Sequence, residues 1–266
     1  MSVVEPRAPQ RFAKIIVVGG GCYGGYYVRQ LHRAVAAGAI VADSIVVVDR
    51  DPNCAVATTL GDRSPIATIL DVAEWREYFD GYLTAAAASP AEFSTDAIVP
   101  SPLMPHLMAE WLVSRAKSRW PERVVRTTPI DSPLAVRWQR DGSDGTHYVS
   151  FADWMCPINC IEPRMCPETR DVRDWSLPPT IAAFARERGM RSAVMHCRHR
   201  AYGVGMFETA EVIDADAVIR QAGDAGAADV IIGTASHCHG ALTRLLLEEP
   251  AGDAAAIPTT SRFLGD

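Results

Sequence analysis

The run from Lys14 to Gly38, KIIVVGGGCYGGYYVRQLHRAVAAG, constrains the fold more than any other part of the chain. A short apolar run, a cluster of glycines and then apolar residues at helical spacing spell a strand, a tight turn and a helix that stops near Gly38. SIVVVDRDP follows as a second apolar run, closed by charge and proline. Strand, helix, strand is the order of a parallel sheet, because the chain must cross over the sheet before it can re-enter in the same direction. Apolar runs without alternation suit strands that are covered on both faces. An α/β architecture is expected.

The turn reads Gly19-x-Gly21-x-x-Gly24, with Gly20, Cys22 and Tyr23 filling the intervening positions. The spaced glycines allow, in turn, a tight bend, close approach of backbone to a pyrophosphate, and close packing of helix on strand. N–H groups at the start of the following helix are free to receive phosphate oxygens. Asp49 ends the second strand, where a carboxylate can take the ribose hydroxyls of an adenosine. Over roughly residues 13 to 100 this constellation resembles the Rossmann dinucleotide-binding fold. The resemblance implies NAD or NADP as cofactor. Asp49 favours NAD, whereas Arg50 offers a partner to a 2′-phosphate; FAD and S-adenosylmethionine also use glycine-rich first turns.

Further along, DVAEWREYFDGYL, PHLMAEWLVSRAKSRW, LPPTIAAFARERG and DADAVIRQAGDAG have helical spacing. DAIVPSPL, ERVVRTTPI, THYVSFADWM, SAVMHCRHR and ADVIIGTA read as strands, and ALTRLLLEE reads as a last helix. The opening MSVVEPRAPQRFAK is expected to be a polar arm, and AGDAAAIPTTSRFLGD a loosely packed tail. The fold class expected is a Rossmann-like parallel sheet over residues 1–130, followed by a second α/β unit over 131–266 that carries a Cys/His-rich site.

A chain of 266 residues with 48% hydrophobic and 22% charged content can bury a large core. Its net charge of −6 argues against a nucleic-acid or anionic-membrane surface. No apolar run is long enough to cross a bilayer. A cytoplasmic protein is expected, and in that compartment clustered cysteines point to metal or redox chemistry before structural disulfides.

Most of the cysteine and histidine falls in three stretches: MCPINCIEPRMCP with Cys156, Cys160 and Cys166; His196-Cys197-Arg198-His199; and His237-Cys238-His239. Prolines 157, 163 and 167 keep the first out of regular structure. Thiolate and imidazole select zinc or iron–sulfur over hard cations. The Cys-x3-Cys-x5-Cys spacing matches neither the usual zinc pairs nor the ferredoxin run. Three thiolates on a stiff loop can still hold three corners of a [4Fe-4S] cluster or take zinc, with Cys197, Cys238 or a histidine completing the set. Redox disulfide exchange and plain packing are the competing readings of the loop. The two histidine-bearing stretches end apolar strands, at the carboxyl ends where open sheets bind ligands, and so are expected on the same edge as the glycine turn. Strict alternation would send His196 and Arg198 to one face and Cys197 and His199 to the other.

Eight arginines and no lysine lie between Arg164 and Arg200. Arg198, Arg200 and His239 are candidates to hold an anionic substrate, since guanidinium presents a planar fork to carboxylate or phosphate. His199 and His237 are candidates for proton transfer, and Glu162 for a general acid or base. The reading that follows is an NAD(P)-dependent oxidoreductase acting on an anionic small molecule, assisted by a metal or cluster on Cys156, Cys160, Cys166, Cys197 and Cys238. The alternatives are a non-catalytic sensor or assembly factor responsive to nucleotide and metal or redox state, and an iron–sulfur-dependent lyase or sulfur-transfer enzyme. A homodimer is compatible with all of them.

Overall fold

A computed structural model describes residues 9–58 and 64–249. The expected polar arm before residue 9 and the expected C-terminal tail lie outside the described residues. Two mixed sheets and five α-helices make up the fold of the described residues. The first strands are β1 (Gln10–Val18), β2 (Ile40–Asp49), β3 (Ala67–Val72) and β4 (Ala97–Val99). They lie parallel in the order β3-β2-β1-β4, with α1 (Cys22–Ala36) crossing between β1 and β2, and α2 (Trp75–Ala88) between β3 and β4. QRFAK, expected in the arm, is the start of β1, because Gln10 to Lys14 already pair with β2.

After α3 (Leu107–Arg119) the chain moves to a second sheet through β5 (Val124–Thr128), β6 (Trp138–Asp141) and β7 (His147–Ser150). A long loop holds the three cysteines and ends in α4 (Leu177–Glu187) and β8 (Arg191–His196). The chain then returns to the first sheet as a hairpin, β9 (Arg198–Ala201) and β10 (Val204–Glu208), with β10 antiparallel to β4. Helix α5 (Thr209–Asp224), β11 (Ala228–Ala235) and β12 (His239–Glu248) complete the second sheet, ordered β6-β7-β12-β11-β8 with β5 also on β12. The sheets therefore exchange strands across residue 130, and the two expected units do not coincide with them.

The glycine turn is forced by sterics. Gly19 has φ +88°, and a Cβ on Gly24 would lie 1.8 Å from the Gly19 carbonyl oxygen, so only glycine lets α1 start this close to β1. Asp49 fixes the turn: Oδ2 accepts the Gly20 N–H at 2.6 Å, and Oδ1 accepts that of Asp51 at 2.9 Å.

Alternate residues of each central strand feed separate cores. Ile15, Val17, Ile45 and Val47 pack against Val28, Leu31 and Ala34 of α1. Ile16, Val18, Val46 and Val48 face α2, α3 and α5, whose other side meets Ala193, Met195, Val230, Ile232, Leu245 and Leu247 of the second sheet. Leu177, Ile181 and Phe184 of α4 cover the far face of that sheet through Ile231 and Leu242. The layers run α1, first sheet, three helices, second sheet, α4.

ALTRLLLEE is the strand β12 and not a helix. Buried Ala241, Leu242, Leu245 and Leu247 mimic helical spacing because β12 is covered on both faces, so alternation disappears. Pairing with β11 on one side and β5 and β7 on the other overrides the helix preference of Leu, Arg and Glu.

His106, at the start of α3, is buried with Nδ1 3.0 Å from Thr234 Oγ1 of β11. Burial pushes its pKa from 6.5 down to about 4. Between those values the unfolded chain takes up a proton that the native state refuses, so stability is full above about pH 6.5 and falls as pH drops towards about 4. The loss is up to about 3 kcal/mol from this group. Urea unfolding at pH 7 and pH 4.5 should show a smaller acid loss in His106→Asn than in the parent. Equal losses in the two proteins would remove His106 from the account.

Candidate functional site

The cysteine loop and the turn between β11 and β12 are bound together through one carboxylate. Glu162 is 8% exposed and adopts φ +47°, a backbone conformation that non-glycine residues rarely take. Its Oε1 accepts the Ser236 hydroxyl at 2.6 Å and the Cys238 N–H at 3.0 Å, and its Oε2 accepts the His237 N–H at 3.1 Å. Burial opposes its charge, but His199 nearby and these three donors outweigh it, so the carboxyl titrates below its usual range. Arg173 ties down the backbone of the same loop, donating to the carbonyls of Glu162, Pro163 and Trp175.

Glu162 forms part of the wall of a cleft of about 640 Å³, together with His196, Arg198, His199, Arg200 and His237. That volume is within the range of small-molecule sites. Strict alternation from 196 to 199 does not hold. The chain leaves the second sheet after His196 and joins the first at Arg198, and this break lets His196, Arg198 and His199 line the same cleft. The hairpin that follows turns through Tyr202 and Gly203, at φ +49° and +80°, a two-residue reversal of the kind that a glycine in second place favours.

Ring orientations are set by neighbours. Ser176 Oγ is 2.8 Å from His237 Nδ1, and His199 Nδ1 donates to the Cys160 carbonyl, which leaves Nε2 of each ring for chemistry. The rings of His196 and His237 meet edge to face at 4.8 Å. Burial, then Arg198 and His237, push the His196 pKa down to about 4, so its imidazole is neutral at pH 7. Burial and Arg173 lower that of His237. Arg198 pairs with Glu211 at 2.5 Å and Arg200 with Glu208 at 2.7 Å. His239 stands apart from these cleft-lining side chains, at the start of β12, with Nδ1 3.0 Å from Ser150 Oγ.

The cleft is not on the edge of the glycine turn. Gln10, Ala39 and Ile40, at the amino ends of β1 and β2, line it, whereas Gly19 to Gly24 follow the carboxyl end of β1. At ~3.3 Å per residue, the length of β1 sets them about 30 Å apart. The carboxyl ends of β8 and β11 in the second sheet face the amino edge of the first, a relation that no local pattern encodes.

At the turn, Gly21, Cys22 and Tyr23 are exposed, and α1 begins with no side-chain cap and no acid in its first turn. Cys54, from the segment after β2, is buried against Gly20, and the Val56 N–H donates to the Gly20 carbonyl. Arg50 is exposed and 3.8 Å from Glu74. The five expected thiol ligands divide. Cys156, Cys160, Cys166 and Cys238 line one small cavity, while Cys197 packs against Gly205 and the central core. Burial pushes the thiols of Cys197 and Cys238 up to about 12, and also raises those of Cys156 and Cys160. Cys166 is lowered: burial opposes, and the Thr169 and Glu168 N–H groups prevail. Among the described residues, no three Cys, His, Asp or Glu side chains stand ready to hold a metal ion. No helix among them is long and apolar enough to cross a membrane.

Residues 108–248 match the family model AF_1314_C, described as "Uncharacterized protein, C-terminal domain". That is more than half of the chain. The chain belongs to this family. Comparisons with curated proteins and with solved structures gave no match. The AF_1314_C span contains the cysteine loop, Glu162 and both histidine stretches, and it excludes the glycine turn.

Glu162→Ala removes an acceptor from three buried donors; the Cys238 N–H keeps Ser236 Oγ at 3.2 Å, whereas the His237 N–H is left without its carboxylate. It should cost about 3 kcal/mol, at the upper end for buried donors left unpaired. Glu162→Gln keeps one acceptor oxygen and should cost roughly half as much. Thermal unfolding of both variants checks the order; an Ala variant as stable as the parent would remove the carboxylate from its structural role.

Proposed function

We propose that the protein is an enzyme performing general acid–base chemistry on a small anionic molecule held in the Glu162 cleft. One observation carries this reading: His196 Nε2 and Arg200 Nε, both on cleft-lining residues, are buried without a hydrogen-bond partner among the described residues. Buried polar atoms are almost always satisfied, and oxygens of a bound carboxylate or phosphate would satisfy Arg200 Nε, and His196 Nε2 in the tautomer that carries its proton there. Arg198 and Arg200 supply positive charge, moderated by Glu211 and Glu208. Glu162 is the ionised base, held in place by Ser236, and Nε2 of His199 or His237 moves the second proton.

A second reading rests on the glycine turn. Its exposed N–H groups at an uncapped helix start, the Asp49 brace and the β3-β2-β1-β4 order support a Rossmann-like nucleotide site for NAD or NADP. On this reading the protein is an oxidoreductase. The length of β1, about 30 Å, argues against direct hydride transfer from a nicotinamide at the turn to a molecule in the cleft, since reacting atoms must approach to ~3–3.5 Å. The two sites then serve separate ligands, and a nucleotide at the turn fits equally well with a sensor.

Calorimetric titration tests both. Inorganic phosphate and succinate probe the cleft, and Arg200→Gln should weaken whichever binds by about tenfold or more. No binding of either, or binding indifferent to Arg200→Gln, would sink the cleft reading. NAD⁺ and NADP⁺ probe the turn. Cys22→Asp places a negative charge at the α1 N-terminus, which suits the helix but repels a pyrophosphate. It should abolish nucleotide binding without lowering the melting temperature.

A further inference from the structure

Four thiols from two distant parts of the chain meet around one cavity. Cys156, Cys160 and Cys166 come from the proline-stiffened loop, and Cys238 from the turn between β11 and β12; Trp154 and Arg173 help to close the walls. The cavity is about 10 Å³, room for about one water-sized body.

Hydrogen-bond donors are already directed at these sulfurs. The Glu162 N–H reaches Cys160 Sγ at 3.3 Å, the Trp175 indole N–H reaches Cys238 Sγ at 3.4 Å, and the Glu168 and Thr169 N–H groups reach Cys166. A neutral thiol is a weak acceptor, whereas a thiolate takes N–H donors strongly. Donors of this kind surround the sulfur ligands of metal centres and tune them. Packing as small hydrophobes explains Cys54 and Cys197, each set in an apolar cluster. It does not explain four cysteines lining one shared cavity, three of them with N–H donors at their sulfurs.

We infer that Cys156, Cys160, Cys166 and Cys238 form a tetrathiolate site for a thiophilic metal centre, zinc or a [4Fe-4S] cluster, in which Cys197 takes no part. As they stand, the described side chains are not grouped to hold an ion, so loading requires these cysteines to draw closer together. Zinc needs all four sulfurs ~2.3 Å from one ion, within the present cavity. A cluster keeps them further apart and requires the loop to open around it. The site stands independently of the cleft reading, although Glu162 lies in the wall of both cavities.

The test is metal and sulfide analysis of the full chain purified anaerobically, with absorption spectra, before and after supply of zinc or of iron and sulfide. About one zinc, or about four iron with a band near ~400 nm, is expected per chain. Cys156→Ser, Cys160→Ser, Cys166→Ser and Cys238→Ser should each lose most of the metal, while Cys22→Ser and Cys197→Ser keep it. Should a serine variant fail to fold, titration of the metal-free parent with Co²⁺ decides by the intensity of its thiolate-to-metal band. Four thiolate ligands support the site, and no band overturns it. Loss of metal in Cys197→Ser with retention in Cys238→Ser, or no metal in the parent under any condition, would equally overturn it.

Discussion

The buried charge of Glu162 is the constraint on which the site depends. An ionised carboxylate inside a protein must be given donors or it will be expelled or neutralised. Here the donors are the Ser236 hydroxyl and two successive backbone N–H groups, so the loop that carries Glu162 is pinned to the turn between β11 and β12. With that pin in place, Cys160 and Cys238 line one cavity, and His199 and His237 line one cleft. It holds in a left-handed backbone conformation a residue that would otherwise avoid one. The cleft on one side of Glu162 and the sulfur cavity on the other are consequences of the same three hydrogen bonds.

What was legible in the sequence follows from how local its cause is. The glycine turn could be read because Gly19 and Gly24 answer to sterics within a few residues, and Asp49 closes the turn on its own backbone. The helices α1 to α5 were legible from their spacing. β12 was not, because burial on both faces erases the alternation that marks a strand. β3 was missed for the opposite reason: it lies at the edge of its sheet with mostly exposed or half-buried residues, and so lacks a strong apolar run.

The candidate site was half legible. Residue types and clustering named Glu162, His199, His237, Arg198, Arg200 and His239 as candidates; the first five line one cleft and His239 does not. His196, whose ring nitrogen is unpartnered among the described residues, was not among the candidates, and the alternation expected to send it and His199 to opposite faces fails at the sheet change after it. The choice of Cys238 over Cys197, and the placement of the cleft away from the glycine turn, depend on how one sheet faces the other. Those are long-range facts, and neither motif spacing nor periodicity carries them.

The exchange of strands between sheets also bears on how the chain reaches its native state. Phe207 of β10 pairs with Ile98 of β4, and Glu248 of β12 pairs with Val124 of β5, each across more than a hundred residues. β12 lies between β11 on one side and β5 and β7 on the other, so the second sheet has no centre until that strand emerges. Closing such large loops before any contact repays them gives a high contact order and slow folding. During synthesis, β5, β6 and β7 must wait with unpaired edges, a state that favours aggregation and makes chaperone protection valuable.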